Sequence, residues 1–202
     1  MRSAVIIAGG RSTRFGDRDK AVADLAGIPM IRRVADRIAP VIDELVVNCR
    51  ADQVDAITKA LQNYGLEPSF AVDPEPDLGP MAGIRNGLRA VTAEYAFVVA
   101  CDMPFVSGPL MDYLFDRARG HDAAVPRSAE GWYQTTQAVY RASAMVNACD
   151  RALEAGDSRI VDALFELDYV EVSEDEVVEY ADLRTFENLN TQSEFEGAAD
   201  SF

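Results

Sequence analysis

Three features of the sequence predict an α/β fold with a mostly parallel sheet. Short apolar runs alternate with amphipathic helical stretches, each run has a small or polar residue at or just after its end, and the first run opens into a glycine-rich turn. The strand runs are residues 4–8, 44–48, 68–72 and 95–101. Between them, residues 29–39 place Ile31, Val34, Ala35 and Ile38 on one stripe, residues 52–63 carry Val54, Ile57 and Leu61, and residues 81–91 carry Ile84, Leu88 and Val91. The second half predicts an extended segment over 134–140, helices over 142–155 and 158–165, and a strand over 169–173. No strand order can be read for this half. Thr191 and Glu194 have capping-box spacing, which predicts a last short helix from about residue 192. In parallel sheets ligands sit beyond the carboxyl ends of strands, which directs attention to Gly9, Asn48, Asp73 and Asp102.

The 202 residues are 49% hydrophobic and 26% charged, and no linker or repeat divides them, so one domain is expected. The longest run without Asp, Glu, Lys or Arg is the ten residues 131–140, about half of the roughly 20 that a spanning helix needs. The apolar start at residues 4–8 is shorter than a signal-peptide core, and a cytoplasmic location is expected. With 34 acidic residues against 19 basic, the net charge of −15 disfavours nucleic acid and anionic membranes as partners. Lys20 and Lys59 are the only lysines, a bias that fits a halophilic, salt-rich cytoplasm. Cys49, Cys101 and Cys149 are too few and too far apart for a disulfide framework or a cysteine zinc site, and read as small buried hydrophobes.

The turn after the first run, residues 9–20, concentrates Arg11, Arg14, Arg18 and Lys20 beside Gly9, Gly10 and Gly16. Glycines let backbone N–H groups approach phosphate oxygens, and the cations add charge-assisted hydrogen bonds, so a polyphosphate fits. A turn with solvated arginines is the plain alternative. The dinucleotide fingerprint and the P-loop both have other spacings, since Lys20 lies four residues beyond Gly16. Lysine in an arginine-rich chain reads as a compact, mobile charge for a transferring phosphate.

The run Ala8-Gly9-Gly10-Arg11-Ser12 through Asp19-Lys20, then Gly27-Ile28-Pro29-Met30, resembles the signature of the nucleotidyltransferases. Within them the chain is most similar to the molybdenum cofactor guanylyltransferase (MobA) family. Gly79-Pro80-Met81-Ala82-Gly83, Cys101-Asp102-Met103-Pro104, Ser158-Arg159-Ile160-Val161 and Asn188-Leu189-Asn190-Thr191 extend the likeness along nearly the whole chain. The resemblance implies a single Rossmann-like nucleotidyltransferase domain, with residues 1–105 binding nucleotide and residues 106–202 binding the acceptor. It implies GTP and molybdenum-molybdopterin as substrates, Mg²⁺ as cofactor, and molybdenum-insertion proteins or acceptor molybdoenzymes as partners. It places Ile7, Ala8, Gly9, Gly10, Lys20, Asn48, Asp73 and Asp102 on the nucleotide, Asp102 on the metal, Arg14 and Lys20 on the β and γ phosphates as catalytic groups with Asp102, and Asn188 and Asn190 on the acceptor.

The residues bear on these roles in their own right. Asp102 follows the most apolar run, Pro104 delays a helix, and the carboxylate is expected to stand exposed at the strand end. Beside a triphosphate such a carboxylate needs a divalent cation; alone, it would read as a turn former. Asp73 shares its proline-bounded loop with Glu75 and Asp77, which compete for any carboxylate role. Asn48 reads equally as a strand-end cap, and His121 receives no role. Trp132 and Tyr133 fall where the family contacts its substrate, but Gln134 to Gln137 replace the usual proline there, which departs from the family pattern. Rival readings are a molybdenum cofactor cytidylyltransferase, an adenosylcobinamide-phosphate guanylyltransferase and a non-catalytic GTP-binding adaptor that delivers cofactor. The cytidine enzymes carry Ala-Ala-Gly in place of Ala8-Gly9-Gly10, which favours GTP.

Overall fold

The computed structural model describes residues 1–10, 19–74 and 78–202. The first run forms β1 (Ser3–Ile7), and a two-residue hairpin, β2 (Asp24–Leu25) with β3 (Ile28–Pro29), leads into α1 (Met30–Ile38). Ala26 and Gly27 turn that hairpin at φ of 49° and 83°. The chain continues through β4 (Glu44–Cys49), α2 (Val54–Ala60), β5 (Ser69–Val72), α3 (Pro80–Ala90) and β6 (Tyr95–Ala100). Then come α4 (Gly108–Arg117), β7 (Ala123–Arg127), β8 (Gln137–Arg141), α5 (Ala142–Ala155), α6 (Ile160–Leu164), β9 (Tyr169–Ser173), α7 (Glu174–Val177) and α8 (Gln192–Ala199).

Among the described residues seven strands make one sheet in the order β5-β4-β1-β6-β8-β7-β9. Only β8 runs against the rest: it pairs antiparallel with β6 and β7, while every other neighbouring pair is parallel. The predicted α/β class holds. Alternate residues of the strands face two apolar layers. Ala4 and Ile6 join Val34, Phe97 and Leu110 on the face covered by α1, α2 and α4, whereas Val5 joins Met81, Val98 and Met145 on the face covered by α3, α5 and α6. A third, smaller cluster packs Leu25 and Met30 against Leu189, Phe195 and Ala198, and fixes the carboxyl-terminal helix to the hairpin.

Several boundaries differ from expectation for local reasons. Strand β5 starts at Ser69 and not at Pro68, which has no N–H for a ladder. The helix expected over 52–63 shrinks to Val54–Ala60 after a 3₁₀ turn, and Asn63 adopts φ 58° beyond it. Pro80 opens α3 one residue earlier than expected, at a position where its missing N–H costs nothing. The extended segment over 134–140 becomes a strand only from Gln137, because Gln137 N–H donates to Gln134 O and closes a turn first. The helix over 158–165 is the shorter α6. Helix α4 and strand β7 were not anticipated; Ser107 Oγ caps α4 by accepting from Leu110 N–H. The capping box of Thr191 and Glu194 is present as read.

Candidate active site

The carboxyl edge of the parallel strands gathers the residues that carry chemistry. Ala8 follows β1 and donates its N–H to Asn48 O at 2.8 Å, Asp73 follows β5 and donates to Cys49 O at 2.9 Å, and Cys101 follows β6 and donates to Ile7 O at 3.0 Å. These bonds prolong the ladder past the strands and lock three loop starts into one surface.

A cavity of about 310 Å³ opens there, lined by Gly9, Gly10, Asn48, Asp73, Gly79, Pro80 and Gly83 among others. Asn48 is fully buried, and its amide is oriented by its neighbours: Nδ2 donates to Ala71 O at 3.0 Å and to Asp73 Oδ1 at 2.7 Å, which leaves Oδ1 with no partner. Asn86 on α3 donates a second bond to Asp73 Oδ1 at 3.0 Å. Asn48 Oδ1 and the other oxygen of Asp73 both lie against glycines. A Cβ on Gly83 would lie 2.5 Å from Asn48 Oδ1, and one on Gly9 would lie 2.6 Å from Asp73 Oδ2. Two acceptors therefore face a space that exists only because those positions lack side chains.

The second centre is Lys20. Its Nζ lies 2.7 Å from Asp102 Oδ2 and 2.9 Å from Asn190 Oδ1, and the residue is only 7% exposed. Lys20 is thus held, not mobile as its chemistry had led us to expect. Nor does the Asp102 carboxylate stand free: one oxygen is on Lys20 and the other, Oδ1, is shielded with no partner, while Leu189 N–H donates to Asp102 O at 3.0 Å and ties the tail to this loop. Burial and the Asp102 charge push the neighbouring Cys101 thiol far up. Among the described residues four buried side-chain polar atoms lack partners, and Asn48 Oδ1 and Asp102 Oδ1 are two of them. Each such atom costs free energy that a ligand would return.

The structure therefore brings Ile7, Ala8, Gly9, Gly10, Lys20, Asn48, Asp73 and Asp102 to one edge. It also brings Asn190 there, bonded to Lys20, while Asn188 lies on the exposed surface. Arg14, Glu75 and Asp77 lie outside the described residues. Trp132 is 71% exposed, and Tyr133 packs edge-on against Phe165 and Tyr169. His121 sits 3.2 Å from Asp168 away from the sheet edge. Asn86, Arg50 and Gln53 were missed by sequence reading; the last two had only their place after β4 to mark them.

Residues 4–170 match the model of the MobA-like NTP transferase domain. The chain belongs to this family. It is 52% identical, over 98% of its length and 96% of the relative, to a Natronomonas pharaonis protein named "Probable molybdenum cofactor guanylyltransferase". A Haloferax mediterranei protein of the same name is 40% identical over 94% of this chain and 89% of the relative. The crystal structure of molybdopterin-guanine dinucleotide biosynthesis protein A from Archaeoglobus fulgidus superposes with a TM-score of 0.81 at 25% identity, covering 100% of this chain and 98% of that one. The family assignment read from the motifs is borne out, and so is the nucleotidyltransferase fold.

Proposed function

We propose that this chain transfers GMP from GTP to molybdenum-molybdopterin, forming the guanine dinucleotide cofactor and pyrophosphate. The observation that carries the reading is the pairing of Lys20 with Asp102 at the sheet edge, together with a glycine-walled cavity at which the buried Asn48 Oδ1 has no partner. Relatives named guanylyltransferases over nearly the full length support it.

The base occupies the small cavity. Guanine presents adjacent N1–H and N2–H donors, which suit Asn48 Oδ1 and Asp73 Oδ2; cytosine offers one amino donor at its corresponding edge. The triphosphate runs from Gly9 and Gly10 toward Lys20, whose ammonium donates to the phosphate oxygens that gain charge as pyrophosphate leaves. Arg14, in the same turn, adds a second cation. Asp102 fits a magnesium site, because its Oδ1 is an unused, shielded carboxylate oxygen and hard Mg²⁺ takes one or two carboxylates plus phosphate oxygens. When bound, the ion supplies charge neutralisation at the α phosphate and the leaving group. The acceptor's terminal phosphate then attacks in line; the chain's task is positioning.

Residues 1–105 supply the nucleotide site in this reading, and residues 106–202 the acceptor wall, with Asn190 crossing over to Lys20. Asn188, at the exposed end of the same tail, faces the acceptor side. No helix among the described residues is long and apolar enough to cross a membrane. In this reading the enzyme works in the cytoplasm and hands its product to molybdenum-insertion proteins or molybdoenzymes.

Titrating the protein calorimetrically with GTP, CTP and ATP plus Mg²⁺ in high salt, and following pyrophosphate release with the molybdenum-bound pterin present, tests the reading. GTP preference with turnover supports it. CTP preference would move the chain to cytidylyl transfer, and GTP binding without pyrophosphate would make it an adaptor.

A further inference from the structure

The two described ends of the glycine-rich turn are tied to the same short segment after β4, by residues that no part of the reading above uses. Gln53 is 1% exposed in the 3₁₀ turn Ala51–Gln53. Its Nε2 donates to Ala8 O at 2.9 Å and to Asp19 Oδ2 at 2.7 Å, while its Oε1 accepts from Arg50 N–H at 2.9 Å, so the amide is fully engaged and joins residue 8 to residue 19. Arg50 Nη1 donates to both Gly9 O at 3.0 Å and Gly10 O at 2.8 Å, and Asp52 holds its Nε at 3.1 Å. Asp19 in turn accepts from Ala21 N–H at 3.0 Å and immediately precedes Lys20.

Peptide planarity gives these bonds a consequence. In a trans peptide the C=O and the next N–H point in opposite directions. With Ala8 O drawn to Gln53 and Gly9 O drawn to Arg50, the N–H groups of Gly9 and Gly10 are turned away from the β4–α2 segment, and neither donates to another described residue. Two neighbouring glycine N–H groups turned to the side away from their brace are donors that an anion's oxygens can take.

We propose that Arg50 and Gln53 are positioning residues for the triphosphate: a brace that aims the Gly9 and Gly10 amides at phosphate oxygens and, through Asp19, sets Lys20 at the far end of the same anion path. This rests on the nucleotidyltransferase reading for its substrate, but it concerns phosphate alone and is indifferent to the base.

The test is calorimetric titration of the full chain with GTP, guanosine and inorganic tripolyphosphate, on the unaltered protein and on Arg50→Met, Arg50→Lys and Gln53→Glu. Guanosine affinity is expected to stay within about twofold, whereas GTP and tripolyphosphate affinities fall roughly 10- to 100-fold, the size of effect that a small misplacement of a site produces. Arg50→Lys, keeping one donor group, is expected to lose less than Arg50→Met. Gln53→Glu faces two acceptors with a carboxylate, so its loss is expected to lessen as pH falls from 8 to 5.5 and the new carboxyl, raised by Asp19, takes up a proton that it can donate. Thermal melts identify any variant that fails to fold, and Arg50→Lys is conservative enough to carry the comparison. Equal losses for guanosine and GTP, or no loss for either phosphate ligand, would overturn the brace. If the unaltered protein binds tripolyphosphate but no nucleoside triphosphate selectively, the functional reading fails while the brace is still tested by the phosphate arm.

Discussion

Lys20 Nζ lies 2.7 Å from Asp102 Oδ2, which joins the end of the glycine-rich turn to the end of the most apolar strand across 82 residues of sequence. Each partner is shielded, at 9% and 19% side-chain exposure, so neither charge is replaceable by water at little cost. Lys20→Met is expected to lower pyrophosphate release by about a hundredfold, the effect of losing one charged donor worth roughly 3 kcal/mol in the transition state. It should also lower the melting temperature, because Asp102 is left half-buried and unpaired. Adding Asp102→Asn to it should restore much of the melting temperature and none of the turnover. Recovery of turnover in the double variant would show that the pair is structural.

Gly83 and Gly87 lie one turn apart on α3 and separate binding from stability. A Cβ at Gly83 would meet Asn48 Oδ1 at 2.5 Å, and Asn48 cannot retreat because its Nδ2 is tied to Ala71 and Asp73. Gly83→Ala is therefore expected to weaken GTP binding by about tenfold or more, equivalent to roughly 1.4 kcal/mol. A Cβ at Gly87 would instead meet Val5 Cγ1 at 2.3 Å inside the core. Gly87→Ala should cost about 1–3 kcal/mol of stability by overpacking and leave nucleotide affinity near that of the parent protein. Urea melts and calorimetry on the two variants check the contrast.

What the sequence could and could not show follows from the range of the interactions. Strands β1, β4 and β6 were legible because burial on both faces makes them continuous apolar runs, and Asp102 was legible because it directly follows such a run; Asp73 follows the edge strand β5, whose short apolar run is only partly buried. Strand β7 was not, since Pro126 and Arg127 interrupt an otherwise small apolar stretch, and its place beside β8 depends on a partner segment ten residues on. Lys20 was found from its rarity, but its contact with Asn190 spans 170 residues and arises from the Leu189 anchor in the third apolar cluster, which no local pattern reveals. Gln53 is likewise a plain helix-start residue until the fold carries Ala8 and Asp19 to it.

The thiols are expected to be silent. Cys49, Cys101 and Cys149 are all free and buried, and burial raises each: Cys49 to about 11, with Asp73 adding to the effect, Cys149 to about 12, and Cys101 further. Since the thiolate is the nucleophile, iodoacetamide at pH 8 should label none of them in the folded protein and all three after denaturation, as read by intact mass. Labelling of Cys101 in the folded state would mean that the Asp102 loop opens.

Glu194 gives the tail a pH dependence whose sign can be worked out. Backbone N–H groups of Asn190 and Thr191 donate to its Oε2 at 2.6 and 2.9 Å, and these bonds, with smaller help from the Lys20 charge, hold its carboxyl below the ordinary 4.5. A lowered folded value means that the ionised group stabilises the fold fully above the unfolded value and loses that contribution as pH falls through the folded one. Glu194→Gln stays neutral throughout, so the melting-temperature advantage of the parent protein over it should be constant from pH 7 down to about 5 and shrink below 4.5. Because the same bonds present Asn190 to Lys20, hydrogen exchange at Leu189 N–H, which reports docking of the tail on Asp102, should accelerate over the same interval in the parent and be less pH-sensitive in the variant beyond the intrinsic exchange rate. An advantage that persists unchanged to pH 3 would show that the cap, and not its charge, holds the tail.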